Sequence, residues 1–335
     1  MPVGIDVGTG NIVGARRTKG KKNTTTFSSE RNAFVYLGKW EQRKNELVRM
    51  RINYVRIGDN VYVIGNGAYD YANIFGNIEL RRPMALGLLN PSEKDALPII
   101  KAVIAAILGD PEIEDETCIY VTPSKPIDSD AHTNYHTDVI DAILASLGYT
   151  PKTVKEAHAL AYGSLADEDY TGIAISWGAG MANVTVMYRG VAALDFSVTK
   201  SGDWIDQQAA RDTATPIPQI TSIKEDPDFS LTKNLSDAGR EQLAIRSYYT
   251  HAIKNILTHI AHLFNTSEGM PHFKTPVKIV CGGGTSMADG FIDVFKRIYD
   301  ELDFPINIKS IELVADPLHA VAAGALSEAV IEEDT

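Results

Sequence analysis

The chain has 335 residues, 44% of them hydrophobic and 22% charged, and a net charge of −11. That length exceeds one ordinary core, so two domains are expected, and the negative balance argues against general nucleic-acid affinity. No apolar run reaches a membrane-spanning length, and Cys118 and Cys281, far apart in apolar runs, read as reduced buried thiols rather than a disulfide or metal site.

The chain enters a strand at once, Val3–Val7, so no signal peptide is expected. Gly8-Thr9-Gly10-Asn11 then turns into a second strand, Ile12–Ala15. A strongly basic block follows: residues 1–56 hold 12 basic and 4 acidic side chains, which leaves about −19 on the remainder. Arg16, Arg17, Lys19, Lys21, Lys22, Lys39, Arg43, Lys44, Arg49, Arg51 and Arg56 make up most of it. It reads either as a solvated face with flexible loops or as a patch that meets an acidic surface on another copy of the chain.

Short β-type runs come next at Ala33–Leu37, Tyr54–Ile57 and Val61–Ile64, the last two joined by Gly58-Asp59-Asn60, a hairpin turn. Ala96–Leu108 has helical spacing, with Leu97, Ile100, Val103, Ile104 and Ile107 on one face. Thr117–Thr122 is a buried-type strand. A helix is expected over Asp130–Leu147, with Val139, Ile140, Ile143, Leu144 and Leu147 at core spacing. His132 and His136 within it are spaced for a metal, but no third ligand is evident, so they read as a solvated helix start. Val154–Ala166 is a helix of small residues, able to approach a neighbour closely.

The pattern then restarts. Gly172–Ser176 and Val184–Tyr188 flank a second glycine turn, Gly178-Ala179-Gly180-Met181, and Val191–Val198 adds a strand. A helix begins at Gly202, with Asp203 as N-cap. Residues 213–235 read as a loop. Glu241–Phe264 is a long amphipathic helix (Leu243, Ile245, Ala252, Ile256, Ile260, Leu263). A buried strand, Val277–Cys281, feeds the triple glycine Gly282-Gly283-Gly284-Thr285-Ser286. A helix (Gly290–Leu302), a strand (Ile311–Val314) and a closing helix (Leu318–Ile331) follow. Two halves that each open strand–glycine turn–strand imply a duplicated α/β unit, with a ligand in the cleft between halves.

These segments resemble the actin-like ATPase superfamily, most closely its bacterial actins of the MreB and MamK kind. Gly4–Asn11 and Gly178–Gly180 are similar to its two phosphate segments. Ser201-Gly202-Asp203-Trp204-Ile205-Asp206 is similar to its Gly-Gly-x-x-x-Asp stretch, Lys224-Glu225 to its Lys/Glu pair near ribose and adenine, and Gly282–Ser286 to its adenosine segment. Glu156–Gly163 and Pro317–Gly324 resemble its connecting helices. The resemblance spans essentially the whole chain. It implies an α/β fold of duplicated actin/ribonuclease H-like lobes, two domains and four subdomains, with an interlobe nucleotide cleft. Domain I would comprise 1–165 and 317–335, with an insert at about 24–78; domain II would comprise 166–316, with an insert at about 205–278.

Phosphoryl transfer needs a positioned polyphosphate, a divalent metal and an oriented water. Thr9, Gly10 and Asn11 offer donors from the first turn with Gly8, and Gly178, Ala179, Gly180 and Met181 from the second. Asp6, at the strand end, either holds Mg²⁺ through water or stabilises the turn. Glu156 resembles the family's water-orienting residue; a carboxylate there also favours the helix dipole. Gly202, Asp203, Lys224, Glu225, Gly282, Gly283, Gly284, Thr285 and Ser286 complete the expected nucleotide contacts. Ser176 and Asn183 stand where the family carries acidic residues, and Met181 where it has Thr, which implies slow hydrolysis. The function this implies is an ATPase that binds Mg-ATP, with ADP after hydrolysis, and polymerises with itself into cytoplasmic filaments without direct membrane contact. The alternatives within the superfamily are a monomeric ATP-dependent chaperone or reactivating factor, for which an appended domain has little room, and a small-molecule kinase, for which no catalytic base or sugar insert is apparent.

Overall fold

The protein is described here from a computed structural model, which places residues 2–18, 24–50, 52–74, 78–233 and 238–333. Lys19, Lys21, Lys22 and Arg51 of the basic block lie outside the described residues, as do Asp334 and Thr335. The chain divides into two compact units: residues to Thr122 with His132–Val154 and the chain from Ala325 on, and Pro123–Ala131 with Lys155–Gly324.

The first unit opens with β1 (Val3–Val7), β2 (Asn11–Arg17) and β3 (Thr25–Arg31). An insert follows: β4 (Phe34–Lys39), α1 (Trp40–Met50), β5 (Tyr54–Ile57), β6 (Asn60–Ile64) and α2 (Asn66–Ile74). A small hairpin, β7 (Met84–Ala85) and β8 (Leu88–Leu89), leads to α3 (Ala96–Leu108), β9 (Thr117–Thr122), α4 (Asn134–Ser146) and β10 (Thr150–Lys155). The main sheet runs β10-β9-β1-β2-β3; β1 is antiparallel to β2 and parallel to β9. A parallel neighbour requires a crossover, which the helical stretch between them supplies. Val3, Ile5, Ile12, Ile100, Val103, Ile104 and Tyr120 fill its core. The insert has its own sheet, β4-β6-β5, and its own small core around Val35, Leu37, Leu47, Val61, Val63 and Tyr71.

The second unit begins with α5 (Glu156–Ser164), then β11 (Gly172–Trp177), β12 (Ala182–Tyr188) and β13 (Val191–Val198). After these come α6 (Gly202–Thr213), α7 (Ile217–Lys224), α8 (Arg240–Thr266), β14 (Val277–Gly282), α9 (Phe291–Asp300) and β15 (Ile308–Leu313). The last helix is α10 (Ala320–Glu333). The sheet order is β13-β12-β11-β14-β15, with β11 antiparallel to β12 and parallel to β14. Strand for strand this repeats the first sheet, which is the duplication expected from the two glycine hairpins. Its core holds Ile173, Ile175, Trp177, Ile256, Ile279 and Phe295.

The small residues of α5 have a packing consequence. A Cβ on Gly324 would fall 1.8 Å from the carbonyl oxygen of Ala159, so α5 and the start of α10 cross at main-chain contact.

Several expectations are corrected. The basic block is not merely loops: Trp40–Met50 is an 11-residue helix, built from good helix formers, with Leu47 buried. Residues 217–224 are helical, because Pro216 and Pro218 sit at a helix start where a missing N–H is harmless. The helix expected from Asp130 begins at Asn134, and the N-cap position of α6 is Ser201 rather than Asp203. Leu97 and Leu243 face outward, while Ile99 and Tyr149 join the core instead. His136, expected in a solvated helix start, is a buried residue of α4, and burial lowers its pKa to about 4. Cys118 and Cys281 are free and buried, as expected.

Candidate functional site

Each sheet carries the same two-residue turn at the same place. In the first unit Gly8 N–H donates to Asn11 O at 3.1 Å, beyond the Val7–Ile12 pair. In the second, Gly178 N–H donates to Met181 O at 3.0 Å, beyond the Trp177–Ala182 pair. Glycine is required at both starts, since an added Cβ would meet Asn11 O at 2.7 Å or Met181 O at 2.9 Å.

Within the second unit the Gly178 carbonyl is held by three donors: the Ser201 hydroxyl at 2.6 Å, the Thr285 hydroxyl at 2.8 Å and Gly202 N–H at 3.3 Å. Asp203 N–H donates to Ala179 O at 2.7 Å. Three segments expected at a nucleotide, the second turn, the start of α6 and the triple glycine, therefore meet in one place. With the Gly178 and Ala179 carbonyls engaged within the unit, the trans peptides turn the N–H groups of Ala179 and Gly180 the opposite way. The Met181 side chain is buried, its sulfur accepting from the Ser197 hydroxyl at 3.4 Å, so only its main chain faces the turn. The Ser286 hydroxyl is directed to Gly283 O at 2.7 Å.

Glu156, the first residue of α5, is fastened by Ser176 and Asn183. Ser176 and Asn183 are directly opposite each other on β11 and β12. The Ser176 hydroxyl donates to Glu156 Oε1 at 2.6 Å, and Asn183 Nδ2 donates to Oε2 at 2.8 Å. Asn183 is itself oriented by Ser124 N–H, which donates to its Oδ1 at 2.9 Å. His158, two residues further along α5, pairs with Asp195 Oδ1 at 2.7 Å.

Lys224 is committed internally. Its ammonium lies 2.7 Å from Asp206 Oδ1 and 3.2 Å from Gly202 O, and Thr221 donates to Asp206 Oδ2 at 2.8 Å. This ties α7 to α6 beside the turn. Glu225 ends α7 at an exposed position.

In the first unit Asp6 is the penultimate residue of β1, two before Gly8, and burial pushes its carboxyl up to about 7. Removing a carboxylate from water without a compensating cation favours the neutral acid, so a bound divalent ion would suit this position. Among the described residues no group of three His, Cys, Asp or Glu side chains is placed to hold a metal ion. Thr9 is buried, and its hydroxyl accepts from Gly87 N–H at 3.0 Å. Leu86 and Gly87 form the β7–β8 turn, both at positive φ. That turn and Asn32, whose Nδ2 donates to Gly8 O at 2.9 Å, were not found in the sequence. Neither is adjacent in sequence to a glycine motif; only a Gly between short apolar pairs hinted at the hairpin.

This architecture, two duplicated α/β units each bearing the same turn, is the actin-like fold. The family profile described as Volactin matches residues 1–329, and the chain belongs to that family. Solved structures share the fold at low identity. The MamK double helical filament is 16% identical, with a TM-score of 0.72 and 98% of both chains covered. MreB 5 of Spiroplasma citri bound to AMPPNP is 14% identical, with a TM-score of 0.68, covering 99% of this chain and 97% of that one. The ethanolamine utilization protein EutJ from Carboxydothermus hydrogenoformans is 16% identical, with a TM-score of 0.55, covering 97% and 89%. No curated protein matches by sequence. No described helix is long and apolar enough to cross a membrane.

Proposed function

We propose that the chain is a nucleotide-binding actin-like protein that assembles with its own copies into cytoplasmic filaments and hydrolyses ATP slowly. The observation that carries this is the pair of equivalent turns, Gly8–Asn11 and Gly178–Met181, each with its first carbonyl turned inward and its amides left for phosphate oxygens. The nucleotide-bound and filamentous states named for the structural neighbours support the reading.

Residue roles follow. Thr9, Gly10 and Asn11, with Ala179 and Gly180, supply amide donors to phosphate. Gly282, Gly283 and Gly284 give a flat surface for the purine and ribose. Asp203 stands at the start of α6 next to the second turn. Lys224 acts through Asp206 and Gly202, keeping α6 in place. Asp6 holds Mg²⁺ through water, and the ion supplies neutralisation of phosphate charge. Glu156 orients a water, yet both its oxygens already accept hydrogen bonds from Ser176 and Asn183. Lone pairs that a water would share are already taken up by these bonds, which supports slow turnover over fast.

Head-to-tail contacts that do not close produce filaments, and the nucleotide state biases them. Sedimentation with electron microscopy tests the proposal: pelletable filaments with Mg-ATP and fewer with ADP are expected. Protein that stays monomeric in every nucleotide state would overturn it.

A further inference from the structure

Asn32, just after β3, is wholly buried, an uncommon place for an amide side chain. Its main-chain N–H donates to Gly10 O at 3.0 Å, and its Nδ2 donates to Gly8 O at 2.9 Å. Two carbonyls of the first turn thus converge on one residue. In a trans peptide the C=O and the following N–H point in opposite directions. Fixing Gly8 O and Gly10 O on Asn32 therefore aims the N–H groups of Thr9 and Asn11 away from it, the arrangement an anion requires.

The second unit solves the same problem with different chemistry. Gly178, which occupies the position of Gly8, has its carbonyl held by the hydroxyls of Ser201 and Thr285. Asn32 is the first unit's counterpart of that pair. Its Oδ1 is buried with no hydrogen-bond partner among the described residues. An unsatisfied buried acceptor is costly, and the hydrogen bonds to the turn are what hold the amide there.

We propose that Asn32 is the positioning residue of the first phosphate turn, setting the direction of the Thr9 and Asn11 amides toward a nucleotide polyphosphate. This rests on the nucleotide-binding reading above. It concerns affinity for phosphate, and leaves the base and sugar contacts, which lie on other segments, untouched.

The test compares the full chain with Asn32→Ala and Asn32→Asp. Calorimetry with Mg-ATP and ligand-observed NMR with adenosine give the two affinities, and thermal melting reports folding. Losing one buried hydrogen bond should weaken ATP binding roughly three- to tenfold in Asn32→Ala, and further in Asn32→Asp, where an acceptor would face Gly8 O. Adenosine affinity should stay within about twofold of the parent, since no phosphate contact is involved. If Asn32→Ala fails to fold, the near-isosteric Asn32→Asp carries the comparison. Unchanged ATP affinity in Asn32→Ala, or ATP and adenosine affinities falling together, would overturn the assignment while leaving nucleotide binding intact. A parent chain that binds no ATP would overturn the nucleotide reading and this inference with it.

Discussion

Asn183→Asp puts the geometry around Glu156 to its strictest trial. The substitution keeps the shape of the side chain and its acceptance of the Ser124 N–H, but replaces the Nδ2 donor, 2.8 Å from Glu156 Oε2, with a carboxylate oxygen. Two unit charges at that separation repel by about 6 kcal/mol at an effective dielectric of ~20. Keeping one carboxyl protonated at pH 7, some three units above an ordinary carboxylate pKa, costs about 4 kcal/mol. Protonation is the cheaper outcome, so the pair takes up a proton and the loss of stability is capped near 4 kcal/mol. The sign is definite. A carboxyl whose folded pKa is raised destabilises the fold above its unfolded pKa, and the penalty vanishes as pH falls toward that value. Chemical denaturation should therefore show the variant about 3–4 kcal/mol less stable than the parent at pH 7.5 and within about 1 kcal/mol at pH 4.5. Equal stability at pH 7.5, or a deficit that does not change with pH, would refute the contact between Asn183 and Glu156. Mg²⁺ should restore more stability to this variant than to the parent, since a cation relieves the same repulsion.

Further outcomes follow from other sites. His136, with its pKa lowered to about 4 by burial, should make stability fall as pH drops from about 6.5 to 4, by about 3 kcal/mol in all; denaturation of His136→Leu against pH should show a flatter profile across that window. Asp6, raised to about 7 by burial, is destabilising as an anion, so Asp6→Asn should melt higher than the parent at pH 8 without metal. Mg-nucleotide affinity of the parent, read by calorimetry, should rise between pH 6 and 8 and lose that dependence in Asp6→Asn. Gly324→Ala should prevent a stable fold, because its Cβ would fall 1.8 Å from a backbone oxygen. Gly163→Ala meets its nearest neighbour at 3.4 Å and should melt near the parent temperature.

Much of the fold could be read in the chain, because duplicated strands announce themselves locally. Apolar runs flanking Gly8 and Gly178 define both hairpins, and α3, β5 and β9 have the bounds expected from their spacing. The failures have a common cause. α1 and α7 are short, 11 and 8 residues, so the apolar spacing around Leu47 and Ile220 repeats over only about two or three turns. At the site, the glycine turns are marked by their local sequence, whereas the residues that hold them are not. Ser176 and Asn183 stood out as missing acids, but that they clasp Glu156 depends on β11 and β12 placing them opposite each other. Asn32 and Gly87 reach the first turn from segments 24 and 78 residues away, and no local pattern marks such contacts.

The most direct test of the whole account is an experimental structure of the chain with Mg-ATP or a non-hydrolysable analogue. Phosphate oxygens should lie within hydrogen-bond distance of the amides of Thr9 to Asn11 and of Ala179 and Gly180, with the base against Gly282–Gly284. A nucleotide seated elsewhere, with both glycine turns making no phosphate contact, would contradict it.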